Sequence, residues 1–179
     1  MLIPVVCAEG VVLVAITLRS SPGKHEDRLE DFLIDDDAVN GLFDAFTAFL
    51  ILTGKTAKKV PCVDPASAAE LKAQNIFIAG DSLGLGILLL LLSDTAYGPR
   101  LSRKVCAATG ALNVRPDMVV CREVGKLGTK VHSAANAGVD VMYCPVQDDV
   151  PPEGLLGMSI KPLSVITKDG ISDLWVKVA

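Results

Sequence analysis

The stretch Asn75-Ile76-Phe77-Ile78-Ala79-Gly80-Asp81-Ser82-Leu83-Gly84-Leu85-Gly86, followed by the apolar run to Leu92, decides how this chain folds. Asn75 to Ala79 predicts a strand, Gly80 a turn, and the run from Leu83 to about Thr95 a helix that Tyr97-Gly98-Pro99 ends. The ten residues from Leu83 to Leu92 would rise only about 15 Å as a helix, half of a bilayer core. They therefore read as a buried helix, and no membrane partner is expected.

Working outward, Leu2 to Cys7 and Val11 to Leu18 are β-branched-rich runs joined by Ala8-Glu9-Gly10, a strand pair that Ser20-Ser21-Pro22-Gly23 ends. Val39, Leu42, Phe43, Phe46, Phe49 and Leu50 recur at helical spacing and share one face of a helix from about Ala38 to Leu52. Asp36 or Asp37 is its expected N-cap and Gly54 its stop. Asp64-Pro65 opens a short helical turn. Downstream, Val105 to Ala108, Met118 to Cys121 and Val139 to Cys144 predict strands, and Leu127 to Asn136 a helix closed by Gly138. Pro145, Pro151 and Pro152 mark a loop before a last strand (about Met158 to Pro162) and a last helix (about Lys168 to Val176). Strands and helices alternate without linker or repeat, so the expectation is one compact domain, residues 1–179, of α/β (α+β) class, with short mixed strands packed against helices.

Composition agrees with a globular chain. Of 179 residues, 50% are hydrophobic and 21% charged, which is too apolar for disorder and long enough for a real core. The net charge of −4 is set largely by Glu26, Asp27, Glu30, Asp31, Asp35, Asp36 and Asp37. No basic stripe of the kind nucleic acid requires is present, and Lys55, Lys58 and Lys59 read as a solvated loop. Cys7, Cys62, Cys106, Cys121 and Cys144 form no C-x-x-C pair, so neither a disulfide framework nor a zinc site is expected. They read as small buried hydrophobes in a reducing compartment, which implies the cytoplasm. The N-terminus has neither the positive region nor the cleavage site of a secretory signal.

The serine turn admits two kinds of reading. Ser82 suits the N-cap of the Leu83 helix. A serine on a tight turn at a helix N-terminus also has backbone N–H groups beside it that could stabilise an oxyanion, which makes Ser82 a candidate nucleophile. A histidine base would have to be His25 or His132, as in the esterases with a Gly-Asp-Ser-Leu block. Those enzymes place the serine near the N-terminus and an Asp-x-x-His block near the C-terminus. Here the serine is at mid-chain and Thr129-Lys130-Val131 precedes His132.

A lysine base fits the downstream order better. After the serine come Thr109-Gly110-Ala111, then Lys126-Leu127-Gly128-Thr129-Lys130, then Ala134-Ala135-Asn136-Ala137-Gly138-Val139, then a strand ending Tyr143-Cys144-Pro145. This set resembles the proteolytic domain of Lon-type proteases: a serine turn ahead of an apolar helix, a Thr-Gly-Glu strand end, a Lys-Glu-Lys helix start, an Ala-Ala-x-x-x-Gly helix end, and a strand finishing in proline. Val12 to Lys24, with its Pro22-Gly23-Lys24 turn, and Val150 to Val176 extend the likeness over nearly the whole chain. The resemblance implies Ser82 as nucleophile, Lys130 as general base and Thr109 as the hydrogen-bond partner of that lysine. Asp81 and Leu83 would flank the oxyanion region. The chain departs from the family at Asp81 for proline, Leu83 for alanine, Ala111 for glutamate and Lys126 for glycine, and the last leaves Lys126 as an alternative base.

A lysine removes a serine proton only as the free amine, and an ordinary lysine with a pKa near 10.4 is rarely neutral at pH 7. The apolar residues around Ser82 and on the 127–136 helix would depress it by desolvation, and the positive end of that helix acts the same way. The resemblance thus implies a serine endopeptidase that takes extended polypeptides and needs no metal or cofactor. No G-x-x-x-x-G-K-[ST] loop is present, so no ATPase activity is expected, and the compact serine-to-lysine layout is also similar to the stand-alone processing proteases of birnaviruses. Lon domains commonly assemble through their flanks, so homo-oligomers are compatible with the reading. Two other functions stay open: a catalytically idle Lon-fold assembly module, and an esterase using Ser82 with His132.

Overall fold

The computed structural model of the chain describes residues 1–7, 10–20, 27–95, 104–148 and 155–174. The turn at 21–24, His25, the break at 97–99, Pro151, Pro152 and the end of the closing helix lie outside them. Within them the fold is mixed α/β, with two sheets and four α-helices, in the α+β class.

Strands β1 (Leu2–Cys7) and β2 (Gly10–Arg19) form an antiparallel hairpin. β3 (Val60–Val63) adds antiparallel to β2 at one edge, where Pro61 removes a donor at little cost. On the other side β1 meets β4 (Cys106–Ala108), followed by β7 (Val141–Pro145) and β8 (Ser159–Leu163), all parallel. The sheet order is β3-β2-β1-β4-β7-β8. A second sheet, β5-β6-β9, joins β5 (Ala111–Val114), β6 (Met118–Arg122) and β9 (Val165–Thr167) in antiparallel pairs.

The helices are α1 (Asp36–Thr53), α2 (Pro65–Gln74), α3 (Gly84–Ser93) and α4 (Leu127–Asn136). α3 forms the middle of the core: Leu85, Ile87, Leu88, Leu89 and Leu92 are fully buried. The hairpin strands, α3, α4 and the strand before Pro145 stand where the sequence places them.

Four expectations are corrected. The N-cap of α1 is Asp35, one residue ahead of the expected pair; its Oδ1 accepts from Ala38 N–H at 2.7 Å, while Gly54 ends the helix in the left-handed region as expected. The helical turn at Asp64 continues for ten residues because Asp64 caps it and Pro65 fits its first position. The strand expected over 75–79 is reduced to a bridge between Ile78 and Leu33. The described part of the last helix is a short 3-10 turn, Ile171–Leu174.

The face of α1 also differs from a simple apolar stripe. Its inward residues are mostly small: Ala38, Ala45 and Ala48 are fully buried beside Leu42, Phe49 and Leu52, and Gly41 lies against the turn that carries Ser82. A Cβ on Gly41 would stand 2.9 Å from both the Cα and the carbonyl oxygen of Asp81. The close approach therefore selects glycine and alanine on the inner face, and pushes Val39, Phe43 and Leu50 outward.

Candidate active site

Ser82 sits in a single 3-10 turn, Asp81–Leu83, that leads into α3. Gly80 precedes it with φ of 74°, a conformation that glycine adopts without strain. The turn is fixed from two sides. Both carboxylate oxygens of Asp35 accept from Gly80 N–H at 3.1 Å, so one aspartate caps α1 and holds the start of the turn. On the far side, the Ser82 carbonyl accepts from Gly110 N–H at 2.7 Å and from the Thr109 hydroxyl at 3.3 Å. Leu85 N–H donates back to the Gly110 carbonyl at 2.9 Å, and Thr109 N–H donates to Tyr143 in β7 at 3.1 Å.

The Ser82 side chain caps no helix: no side-chain bond is made at the N-terminus of either the 3-10 turn or α3. Its Oγ instead faces Lys130. The Lys130 Nζ lies 3.0 Å from Ser82 Oγ and 3.2 Å from Thr109 Oγ1. Thr109 is fully buried and Lys130 only 4% exposed, and they are the two buried polar side chains of the described core. Three segments far apart in sequence thus meet at one point.

Burial sets the chemistry of that lysine. α4 buries Leu127, Val131 and Ala134 around it, and this desolvation lowers the Lys130 pKa from 10.5 to about 8. The Asp81 carboxylate pulls in the opposite direction, and the Arg122 guanidinium pairs with it at 2.5 Å. Burial also raises the Asp44 carboxyl, with Arg122 opposing the rise and Asp81 adding to it. The Thr109 hydroxyl directs its proton to the Ser82 carbonyl and leaves a lone pair for a lysine N–H. A neutral Lys130 can then turn its own lone pair to the Ser82 O–H.

Lys126 and His132 are not brought to the serine. Lys126 is the N-cap of α4, exposed, in the left-handed region at φ of 57°, and contributes only its carbonyl to Lys130 N–H. His132 lies two residues after Lys130, about 200° around the helix, and is exposed. Gly84 N–H closes the turn on the Asp81 carbonyl, so the N–H groups of Asp81 and Ser82 lead it, while that of Leu83 is the first with a helical acceptor behind it.

An open slot beside the serine has no signal in the sequence. Met1 and Ile16 exchange both backbone bonds, at 2.8 and 3.2 Å, so by strand alternation Ile3 and Val5 also face β2, and Pro4 and Val6 face away. On that outward side β1 pairs with β4 only at Leu2. Opposite, Ile78 spends both its N–H and its carbonyl on Phe32 and Ile34, which turns the peptide groups of Phe77 and Ala79 toward β1. Between these walls lies a cavity of about 190 Å³, lined by Pro4, Val6, Ile78, Ala79, Ser82 and Lys130 among others. A larger hollow of about 680 Å³ near Leu50, Lys55 and Asp94 holds no nucleophile beside a buried base. Among the described residues, no helix is long and apolar enough to cross a membrane. Compared with protein-family models and with curated protein sequences, the chain matches none.

Proposed function

We propose that this chain is a serine endopeptidase with a Ser82/Lys130 dyad, resembling the proteolytic domain of Lon-type proteases and the stand-alone processing proteases of birnaviruses. The observation that carries the reading is the buried Lys130 amine within hydrogen-bond distance of both Ser82 Oγ and Thr109 Oγ1. A lysine held out of water beside a serine hydroxyl, with its pKa lowered, is the arrangement that makes serine nucleophilic without histidine.

In this mechanism the substrate strand lies in the slot between β1 and 77–79, with backbone groups on both walls and its scissile carbonyl over Ser82. Neutral Lys130 takes the Ser82 proton as Oγ attacks, and the leading N–H groups of the Asp81–Leu83 turn face the developing oxyanion. Lys130, now an ammonium, gives that proton to the leaving amine, and the acyl group stays on Ser82. Water then attacks the ester, Lys130 accepting its proton and returning it to Ser82 Oγ as the acyl–oxygen bond breaks and the acid product departs. Thr109 holds the amine in register throughout. The aqueous cytoplasm as the site of action, a polypeptide as substrate and the absence of any cofactor requirement belong to the same proposal.

The test is labelling by a fluorophosphonate probe, together with hydrolysis of a fluorogenic peptide and a short-chain ester, across pH 6 to 10. Loss of labelling and peptidase activity in Ser82→Ala and Lys130→Ala, with retention in Lys126→Ala and His132→Ala, is the expected pattern. Activity that survives Lys130→Ala and disappears in Lys126→Ala refutes the dyad, and ester turnover dependent on His132 assigns the site to an esterase. No labelling or turnover in any form leaves an idle scaffold.

A further inference from the structure

Helix α1 buries Leu42, Phe49 and Leu52 but carries four other large apolar residues outside that buried face. Val39, Phe43 and Leu50 are 37, 64 and 45% exposed, and Phe46 between them is half-buried. The four are spaced by four, three and four residues, which aligns them in a seam about 60° wide on the outer side of the helix. That spacing is what two packed helices share; Val39, Phe43 and Leu50 stay exposed, while Phe46 packs in part against the core.

The seam is self-complementary. Its spacing reads the same in both directions, so a two-fold axis can set Val39 against the partner's Leu50 and Phe43 against the partner's Phe46 along its whole length. Beside Phe43 and Phe46 a hollow of about 280 Å³, lined by Leu29, Leu42, Val60 and Pro61, offers space for an incoming aromatic ring.

Charge fixes the direction. Asp35, Asp36 and Asp37 are exposed at the start of α1, and Lys55 and Lys58 are exposed just after its end. In the antiparallel register residue 36 stands opposite residue 53 of the second copy, only about 3 Å along the axis from residue 55. Each acidic end therefore meets the other copy's lysines, and the two macrodipoles oppose. A parallel pair would bring six carboxylates together.

We propose that the chain forms a symmetric dimer through the outer seam of α1, the two helices antiparallel about a two-fold between Asp44 and Ala45. The proposal is independent of any catalytic role. Sedimentation equilibrium from low to high micromolar concentration reads it directly. The expected mass rises toward twice 18.8 kDa, and Phe43→Glu and Leu50→Lys each hold the chain at 18.8 kDa with an unchanged circular dichroism spectrum. Added salt weakens the wild-type dimer. Under mild oxidation, Val39→Cys mixed with Leu50→Cys gives a cross-linked dimer beyond the wild-type background, while neither variant cross-links alone. A wild type that stays monomeric assigns the seam to another partner and overturns the proposal. A dimer untouched by Phe43→Glu, or cross-linking of each single variant with itself, overturns it as well.

Discussion

Replacing Lys130 by methionine separates what the lysine does for chemistry from what it costs the fold. With a pKa of about 8, about a tenth of Lys130 is neutral at pH 7, against roughly one in three thousand for an ordinary lysine, so burial raises the competent fraction by about 300-fold. Fluorophosphonate labelling of the wild type should therefore climb about tenfold per pH unit below about 8 and level off above it. In Lys130→Met labelling at pH 8 should fall by a factor of about 10² to 10⁴, the usual contribution of a positioned base, and the limb should vanish. Stability runs the other way. The folded pKa lies below the unfolded one, so the unfolded chain binds more protons between about pH 8 and 10.4, and wild-type stability rises with pH across that window. The whole swing is about 3 kcal/mol, since each pKa unit corresponds to 1.36 kcal/mol. At pH 7 the methionine variant is free of that penalty and loses two hydrogen bonds of about 1 kcal/mol each, leaving it more stable by about 1 kcal/mol. Near pH 10.5 the order should reverse. Urea unfolding of both proteins at pH 7 and 10.5 checks this. A wild-type advantage that is equal at the two pH values refutes the buried, depressed amine, as does an unchanged pH limb in the variant.

Three further outcomes are expected. Thr109→Val removes the bonds to Lys130 and to the Ser82 carbonyl; labelling should drop by about ten- to a hundredfold at pH 8, with recovery in Thr109→Ser measured by the same probe. Asp35→Ala deletes the cap of α1 and the anchor of Gly80, so thermal unfolding should show a loss of about 1 to 2 kcal/mol and labelling should fall with it. Asp81→Asn takes away the carboxylate that favours the ammonium form; the acid limb of the labelling profile should move to lower pH, and a move to higher pH would contradict that placement.

Much of this arrangement was legible in the chain because local signals and tertiary structure agree there. Leu127 to Asn136 has its apolar periodicity, its glycine exit and its place after a strand, and α4 spans those residues. Lys130 and Thr109 became candidates only through order along the chain, since each taken alone is a common surface or strand residue; the fold joins them with Ser82. What was not legible depends on partners. Residues 75–79 have strand chemistry, yet only Ile78 is paired, because the other side of the segment borders the slot beside Ser82. Val60–Val63 and Val165–Thr167 are short, carry no alternating pattern, and become strands because an edge awaits them. Asp35 could not be told from its two acidic neighbours, since its preference comes from the Gly80 N–H, 45 residues away.

The same packing explains why the serine turn is where it is. Local propensity alone would let Ser82 cap α3; what draws its Oγ elsewhere is that the Gly84 and Leu85 N–H groups it would cap already bond the Asp81 and Gly110 carbonyls, while Asp35 before the turn and Gly110 and Thr109 behind it hold it in place. Those partners hold only if α1 lies close, which is what Gly41 and the buried alanines permit. Adding one methyl group at position 41 should therefore act on the turn more than on the core: a Cβ 2.9 Å from the Asp81 backbone meets atoms that cannot rotate aside. Gly41→Ala would gain up to about 1 kcal/mol in helix propensity, yet displace Ser82 from Lys130. A displacement of about 1 Å can cost about a hundredfold in rate. Labelling reduced to that extent in a protein that still unfolds cooperatively is the expected result, and full labelling would show that the turn does not depend on α1 for its position.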